Sequence, residues 1–363
     1  MENKHEAWEL AQMQSLPLEA KIRMTQQRIR SWYEYWNGQV YVSFSGGKDS
    51  TVLKHIVDGM YDDVPSLFVN TGLEYPEIQR FAMSQRNVVT VRPDMRFDQV
   101  IQKYGYPVVS KEVAQTVCEA KKNKESGKYS YRIKKLNGEA TDKDGKPSQY
   151  NIPQWKFLLD APYDISHKCC DVMKKKPAKQ YEKETGRKPF IGTMASESRL
   201  RYTKWIKSGC NAFDEKHPTS QPLSFWTEQD ILHYIKKYNV PYCSVYGDIV
   251  PVSKEVQLEG QMNIFDCIAD MLGCSTEELP GCQPSQDGTK LKTTGCNRTG
   301  CVFCMFGCHL EKEPNRFQRL KETHPRQYEY CIGGGEMVDG KWQPSKEGLG
   351  LGYVLDYMGV KYK

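Results

Sequence analysis

The first 60 residues alternate between helical and extended patterns of apolar positions. From Leu18 to Trp36 the apolar residues recur at helical spacing, and Asn37-Gly38 supplies a stop, so we predict an N-terminal helix. Val40 to Phe44 is a short apolar run typical of a buried strand, and Thr51 to Met60 carries its apolar residues on one helical face. Strand, loop and helix in this order predict the opening unit of an α/β fold.

The alternation continues beyond this unit. The predicted strands are 65–70, 88–91 and 189–194, and the predicted helices are 77–86, 176–185 and 227–238. Strands that alternate with helices favour a doubly wound, mostly parallel sheet, so the predicted fold class is α/β. Residues 315–330 predict one further helix near the C-terminus.

Three regions follow from these patterns. Residues 1–37 form an N-terminal helical segment, 38–246 an α/β domain, and 247–363 a cysteine-rich C-terminal region. At about 121–150 the pattern dissolves into Lys, Gly, Ser and Asp, with Asn137-Gly138 as one turn signal. We interpret this stretch as a basic insertion or hairpin outside the core, in which only Tyr131 to Leu136 is extended.

Composition narrows the class of protein. The formal charge of +6 comes from 51 Lys and Arg against 45 Asp and Glu, a mild excess that identifies no partner by itself. Four of the 13 cysteines fall within residues 296–308, which favours metal ligation over a spread disulfide framework. With no apolar leader and no apolar run of about 18 residues, we expect a cytoplasmic protein without a membrane partner.

The loop Ser45-Gly46-Gly47-Lys48-Asp49-Ser50 is the strongest candidate for chemistry. It follows a predicted strand and opens a predicted helix, so its amides and the positive helix end suit a phosphate, and its glycines let a ligand approach the backbone. A glycine pair alone would equally suit a structural turn. The Lys-Asp-Ser continuation favours phosphate binding, although the spacing is not that of a Walker A loop.

The hexad resembles the signature of the PP-loop ATP pyrophosphatases, which have an adenine nucleotide alpha hydrolase-like fold. Within that group, three further segments are similar to motifs of phosphoadenosine phosphosulfate (PAPS) reductases: residues 68–77, 192–201 and 222–230. The resemblance covers about residues 38–246. It implies a nucleotide-binding α/β domain and an adenine nucleotide ligand, either ATP or PAPS/APS, with Mg²⁺ as a further candidate ion.

The resemblance also implies site residues. The implied catalytic residues are Lys48, Asp49 and Arg201. The implied nucleotide-binding residues are Ser45, Gly46, Gly47, Lys48, Asp49, Ser50, Thr71, Gly72, Gly192 and Arg201. Arg199 either assists Arg201 or is a solvated surface charge. Met194 stands where the family motif has an arginine, so we expect that the bound nucleotide carries a different charge from PAPS.

Cysteines supply a second candidate site. The run Cys296-x4-Cys301-x2-Cys304-x3-Cys308 suits zinc or an iron-sulfur cluster, against the alternative of buried free cysteines. The pair Cys169-Cys170 resembles the Cys-Cys segment of assimilatory reductases that carry a 4Fe-4S cluster. We therefore favour a 4Fe-4S cluster, with zinc as the alternative. The candidate ligands are Cys169, Cys170, Cys296, Cys301, Cys304 and Cys308.

One feature departs from a straightforward reductase. The reductase family carries its nucleophilic cysteine in a Glu-Cys-Gly-x-His tail, whereas no cysteine follows Cys331 here. Either an internal cysteine replaces it, with Cys331, Cys308 and Cys210 as candidates, or the reaction differs. A protein that donates electrons or sulfur is the implied partner.

Residues 128–135 interleave cations with aromatic rings, and 174–176 add three lysines. This composition suits contacts to nucleic acid, although a solvated insert would look the same. Three hypotheses therefore remain: a PAPS reductase-like enzyme of sulfur chemistry, a sulfurtransferase that thiolates nucleic acid, and a non-catalytic nucleotide- or nucleic-acid-binding module with structural zinc.

Overall fold

The structure is a computed structural model of the 363-residue chain, and it describes residues 4–127, 129–252 and 289–363. The described helices, in chain order, are α1 (Ala7–Ser15), α2 (Leu18–Tyr35), α3 (Lys48–Asp58), α4 (Pro76–Ser84), α5 (Phe97–Tyr104), α6 (Lys111–Glu125), α7 (Tyr131–Asn137), α8 (Lys176–Thr185), α9 (Arg199–Ser208), α10 (Glu228–Tyr238), α11 (Arg316–Thr323), α12 (Pro325–Ile332) and α13 (Leu351–Tyr357). The described strands are β1 (Val40–Ser43), β2 (Ser66–Val69), β3 (Val88–Val91), β4 (Val108–Val109), β5 (Lys188–Ile191), β6 (Asn211–Ala212), β7 (Thr219–Ser220), β8 (Ile249–Pro251), β9 (Leu291–Thr293), β10 (Met305–Phe306), β11 (Glu336–Val338) and β12 (Lys341–Gln343). Part of the predicted cysteine-rich region, residues 253–288, lies outside the described residues.

The described residues form two compact units. The first comprises the described residues of Met1–Asn70, Tyr75–Val91 and Ala178–Thr299, and the second comprises those of Thr71–Glu74, Arg92–Pro177 and Gly300–Lys363. The predicted boundaries at 37/38 and 246/247 stay predictions.

The first unit is built on a six-stranded sheet in the order β3-β2-β1-β5-β7-β6. Every pairing is parallel except that of β6 with β7, so the predicted mostly parallel α/β sheet is confirmed. The central strands β1, β2 and β5 are largely buried, and helices cover the sheet with a core that includes Trp32, Trp205 and Trp226. Since β1 lies between β2 and β5, the loop that follows β1 is at the point where the strand order reverses, which is where open α/β sheets bind ligands.

Local sequence signals explain several element ends. α2 ends at Tyr35, followed by Asn37 (φ +47°) and Gly38 (φ +73°), two residue types that tolerate a left-handed backbone. α10 begins after Thr227, whose hydroxyl accepts a hydrogen bond from the Asp230 amide while the Asp230 carboxylate accepts one from the Thr227 amide. Both of these predicted helices are confirmed.

Two predictions of secondary structure are wrong. Residues 131–136, which we expected to be extended, belong to helix α7, because Leu136 is buried on one face and Gly138 closes the helix in the left-handed conformation. The single helix expected at 315–330 is two helices, α11 and α12, because Pro325 has no amide hydrogen to continue α11 and instead opens α12.

The second unit has little sheet. β4 pairs with β10 in parallel, β11 and β12 form a hairpin, and helices α5–α7 and α11–α13 supply most of the remaining structure. Among the described residues, no helix is long and apolar enough to span a membrane.

Candidate functional site

The loop of residues 45–50 connects β1 to α3 in the first unit. Gly46 has φ +73°, and a Cβ there would lie 3.0 Å from the Ile78 side chain and 3.2 Å from the Ile78 carbonyl oxygen. Neither the backbone angle nor the space suits a side chain, which explains the first glycine. Gly47 then caps α3 in an extended conformation, so the amides of the first helical turn face the loop.

Two serine hydroxyls brace this loop. The Oγ atoms of Ser45 and Ser50 are 3.0 Å apart, and the Ser45 amide donates to Ser50 Oγ at 3.2 Å. Ser50 Oγ in turn donates to the Gly47 carbonyl at 2.9 Å. Ser45 is exposed and Ser50 is buried, so the loop has one hydroxyl at the solvent and one holding its shape.

Gly192, which follows β5, packs against the start of α3. A Cβ at this position would lie 3.1 Å from the Asp49 carbonyl oxygen and 3.2 Å from Ser50 Cα. The close approach of the two backbones explains why glycine stands here, and it ties the loop after β5 to the loop after β1.

Lys48 is the buried cation of the loop, with only 3% of its surface exposed. Its Nζ is 2.8 Å from Glu228 Oε1 and donates to the Asn297 carbonyl at 2.5 Å. Its amide donates to the Tyr246 hydroxyl at 3.2 Å, and that hydroxyl is 2.7 Å from Thr299 Oγ1. A hydroxyl therefore accepts from the first helical amide, where a phosphate oxygen would be an equally suitable acceptor.

Further charges surround the loop. Glu197 pairs with the guanidinium of Arg201 and lies 3.5 Å from Arg298 Nη1. Burial lowers the pKa of Arg201, and the neighbouring Arg298 lowers it further. Asp49 has a buried Oδ1 without a hydrogen-bond partner in the described structure, and burial raises its pKa although Lys48 and Arg298 oppose the shift.

Two positions close to Arg201 in the sequence, Met194 and Arg199, have different environments. Met194 is buried in the core, and its amide donates to Glu197 Oε1 at 2.8 Å, so this position holds Glu197 rather than presenting a charge. Arg199 is exposed at the start of α9, and no described carboxylate forms an ion pair with it.

Thr71 and Gly72 belong to the second unit, where Thr71 Oγ1 donates to Glu74 Oε1 at 2.7 Å.

Sequence reasoning missed several neighbours of the loop. They are Glu197, Glu228, Tyr246, Asn297, Arg298 and Thr299. Glu197 and Glu228 lie within segments that carried the family resemblance, so their position was a usable signal. Arg298 lies inside the cysteine run, and the spacing of those cysteines gave no signal for its contact with Glu197. Tyr246 had no local signal, because its contact with Lys48 joins residues 198 apart.

The second unit brings four of the predicted cysteine ligands together. The Cys169 thiol donates a hydrogen bond to Cys170, and this bond together with burial raises the pKa of Cys169. The same bond lowers the pKa of Cys170, although burial opposes that shift. Cys169 also interacts electrostatically with Cys301 and Cys304. Burial raises the pKa of Cys301 to about 11.

Two lysines accompany these thiols. Lys174 hydrogen-bonds with Cys301, and Lys111 hydrogen-bonds with Cys170. Burial by itself lowers the pKa of Lys174, but Cys301 and Glu74 outweigh it and the pKa is raised. The group therefore combines buried sulfur donors with cations that compensate negative charge.

Of the other two predicted ligands, Cys308 lies in the same unit and interacts electrostatically with Cys304 of this group. Cys308 is buried and donates to the Met305 carbonyl at 3.0 Å, and Cys296 belongs to the first unit. Across residues 4–127, 129–252 and 289–363, no three His, Cys, Asp or Glu side chains adopt the arrangement of a metal site. The ten described cysteines form no disulfide.

The protein-family model named phosphoadenosine phosphosulfate reductase domain matches residues 39–141 and 129–305, which are most of the chain. The chain belongs to this family. The predicted PAPS reductase family of PP-loop proteins is thus confirmed. The two matched stretches overlap at 129–141, within the predicted basic insertion.

Two curated relatives of this PAPS reductase-domain protein come from Methanocaldococcus jannaschii. Uncharacterized protein MJ0973 is 29% identical over 117 residues, which are 30% of this chain and 28% of that protein. Uncharacterized protein MJ0066 is 24% identical over 222 residues, which are 60% of this chain and 35% of that protein. The chain spans about a third of the length of the curated relatives it matches.

Among solved structures, the chain is similar to phosphoadenylyl-sulfate (PAPS) reductase from Candida auris in its phosphate complex. The TM-score is 0.34 and the sequence identity is 15%, and the match covers 61% of this chain and 82% of that one.

Proposed function

We propose that the protein binds ATP or an adenylyl sulfate at residues 45–50 and carries out sulfur chemistry on it. The observation that carries the proposal is the loop after β1, at the reversal of strand order, with Lys48 buried beside it and Arg201 and Arg298 in the same unit. Amides of a helix start and fixed cations are the groups that stabilise a phosphate or a leaving oxyanion.

The geometry supports either of two reactions. In reduction of an adenylyl sulfate, the bond between the sulfonyl sulfur and the phosphate oxygen breaks, and its electron pair leaves with the nucleotide. A thiol takes the sulfonyl group, a second thiol releases sulfite, and the two thiols end as a disulfide. In sulfur transfer, an acceptor oxygen attacks the α-phosphate of ATP, pyrophosphate leaves, and a sulfur donor then displaces AMP. Lys48 and Arg201 stabilise the departing oxyanion in both reactions.

We further propose that Cys169, Cys170, Cys301 and Cys304 hold a 4Fe-4S cluster. What supports the proposal is the donor set, since Cys169 interacts electrostatically with Cys170, Cys301 and Cys304, and four cysteine thiolates are the ligands that such a cluster takes. Lys174 and Lys111 offset the negative charge of thiolates. A bound cluster would supply a negatively charged or redox-active group, and the chain's own part is to bury and orient it.

The thiol that acts on sulfur comes from outside this chain in our proposal. The internal candidates Cys331, Cys308 and Cys210 are 0%, 1% and 7% exposed. Burial raises the pKa of Cys308 to about 12 and that of Cys331 well above its usual value, so neither is a ready thiolate. A reductant or sulfur-donor protein is therefore the proposed partner.

The experiment is a comparison of three nucleotides with anaerobically purified protein. PAPS, APS and ATP are each titrated by calorimetry, and each is then incubated with a dithiol or sulfide while sulfite, pyrophosphate and nucleotide products are measured. Binding of at least one nucleotide with its matching product supports the proposal. Binding without turnover, together with stoichiometric zinc, would instead favour the non-catalytic module with structural zinc.

Nucleic-acid thiolation is the second candidate function. The observation that favours it is the exposure of Tyr129, Tyr131 and Tyr150 within the basic insertion, at 59%, 52% and 51%. Pyrophosphate release that requires both ATP and an added polynucleotide would distinguish this function from reduction of an adenylyl sulfate.

A further inference from the structure

The positive charge of the chain is concentrated in one segment of the second unit. Residues 121–160 contain ten Lys and Arg against five Asp and Glu, whereas the whole chain has 51 against 45. The rest of the chain is therefore almost neutral, and a single 40-residue segment accounts for most of the net charge. A local field of one sign attracts a partner of the opposite sign.

The same segment exposes large aromatic side chains. These are Tyr129, Tyr131, Tyr150 and Phe157, with exposures from 39% to 59%. Exposed cations are interleaved with them: Lys122, Lys124, Lys134, Lys143, Lys146 and Lys156. A singly exposed ring needs no explanation, but aromatic and cationic side chains alternating along one segment match the chemistry of a polynucleotide.

These side chains stand on a folded support. α6, α7 and the 3-10 helix Pro153–Asp160 pack on one another in the second unit. Leu136 and Leu158 are fully buried between these helices. Arg132 is ion-paired with Glu119 at 2.7 Å, and Lys135 with Glu112 at 2.6 Å. The described residues of this segment, 121–127 and 129–160, thus form a folded platform with helices, whereas its composition predicted an insertion or hairpin outside the core.

The lysines of the platform fall into two groups, one buried and ion-paired and the other exposed. Lys135 is buried and paired, whereas Tyr131 and Lys134, three residues apart on α7, share an exposed face. In the described structure, no carboxylate forms an ion pair with Lys122 or Lys134. Lys124 lies 3.9 Å from Asp160, a long pair between two exposed side chains that costs little to break.

We propose that residues 121–160 form a binding surface for single-stranded nucleic acid. Tyr129 and Tyr131 offer rings on which bases stack, and Lys122, Lys124 and Lys134 contact phosphates. Unpaired bases are the ligand because a duplex hides the faces that a ring would stack on. This surface goes beyond the proposed nucleotide chemistry and does not depend on it, since its test contains no ATP or adenylyl sulfate.

The test is fluorescence anisotropy of labelled 20-nucleotide dT and U strands and of a 20-base-pair duplex, titrated with the full chain over a series of salt concentrations. We expect one or both single strands to bind at least about 10-fold tighter than the duplex, and the comparison of dT with U identifies the favoured sugar. Tyr131→Ala should weaken binding by about 5- to 150-fold, since one stacked base contributes about 1–3 kcal/mol. Tyr131→Phe keeps the ring and should bind as the wild type does.

Two further variants separate stacking from charge. Lys134→Ala should reduce the slope of log affinity against log salt by about 0.7, the value for one phosphate on a single strand. Tyr238→Ala removes an exposed tyrosine of the first unit and should change nothing. The proposal is overturned if the wild type binds no single strand, if the duplex or polyglutamate competes equally well, or if Tyr131→Ala binds as tightly as Tyr131→Phe.

Discussion

Lys48→Met tests whether the buried lysine of the loop at residues 45–50 is a nucleotide ligand. Methionine keeps an unbranched apolar side chain that ends at Cε, with sulfur in place of one methylene, and lacks the ammonium group. A hydrogen bond from a charged donor contributes about 1.5–3 kcal/mol. In the free protein Lys48 already pairs with Glu228, whose side chain is 38% exposed, and exchanging that pair for a phosphate costs up to about 1 kcal/mol.

The net expected loss is therefore about 0.5–3 kcal/mol of binding free energy, which is an affinity about 2- to 160-fold weaker. Calorimetric titration with whichever of PAPS, APS or ATP the wild type binds measures it directly. The variant should also lose about 1–2 kcal/mol of folding stability, because the Asn297 carbonyl is left without its donor.

Lys54→Met is the matched control on the same helix. Lys54 is 4% exposed and pairs with Asp58 at 2.8 Å, so it is also a buried, ion-paired lysine of α3, but it lies away from the loop. We expect a similar loss of stability in denaturant unfolding and an unchanged nucleotide affinity. The reasoning is refuted if Lys48→Met binds within twofold of wild type, or if both variants lose affinity equally.

Three further predictions concern the two sites. Gly192→Ala should destabilise the protein by about 1–3 kcal/mol and weaken nucleotide binding, since its Cβ would be 3.1 Å from the Asp49 carbonyl oxygen. Gly59→Ala is the control, because a Cβ there would be 3.4 Å from its nearest neighbour, an ordinary contact distance. It should change neither the free energy of unfolding nor the nucleotide affinity. Asp49→Asn should be more stable than wild type at pH 8, and this difference should shrink towards pH 4. Burial raises the pKa of Asp49, so the folded state binds that proton more tightly than the unfolded state does. The stability of the wild type therefore falls as pH rises from about 3.9 through the folded pKa. Cys301→Ser should lose iron and acid-labile sulfide after anaerobic purification, whereas Cys331→Ser should retain both.

Each of these predictions has an outcome that counts against it. Unaltered affinity in Gly192→Ala would separate the loop after β5 from the nucleotide. A stability difference for Asp49→Asn that is constant with pH would mean that Asp49 titrates normally. Equal loss of iron from both cysteine variants would point to unfolding rather than ligation.

Local patterns in the sequence predicted most of the first unit. The strand before Ser45, the helix after it and the Thr227 cap all depend on residues that are close together in the chain. The sequence alone therefore predicts these elements without knowledge of the tertiary contacts. The family motifs also pointed to the correct family, because they occur along the chain in the order typical of the family.

The errors arose where local signals compete. Ser130 and Gly138 are the residues that flank helix α7 at its two ends. The lysines and tyrosines in and around this segment instead suggested an exposed, extended stretch. Pro325 was visible as a break, but the helical spacing of apolar residues on both sides of it hid the interruption.

The surroundings of Lys48 could not be predicted from the sequence for a different reason. Tyr246 and Asn297 are 198 and 249 residues away, and nothing near them marks their contact with the loop. Such contacts are set by the packing of the whole unit rather than by any local pattern.

The central claim is that this family member acts on the sulfur or phosphorus of an adenine nucleotide held at residues 45–50. The most direct measurement is product formation by anaerobically purified protein given PAPS, APS or ATP with a dithiol or sulfide, compared between Lys48→Met and Lys54→Met. The account predicts sulfite or pyrophosphate from one nucleotide, strongly reduced only in Lys48→Met. Product formation that is equal in both variants, or no binding of any of the three nucleotides by wild type, would contradict it.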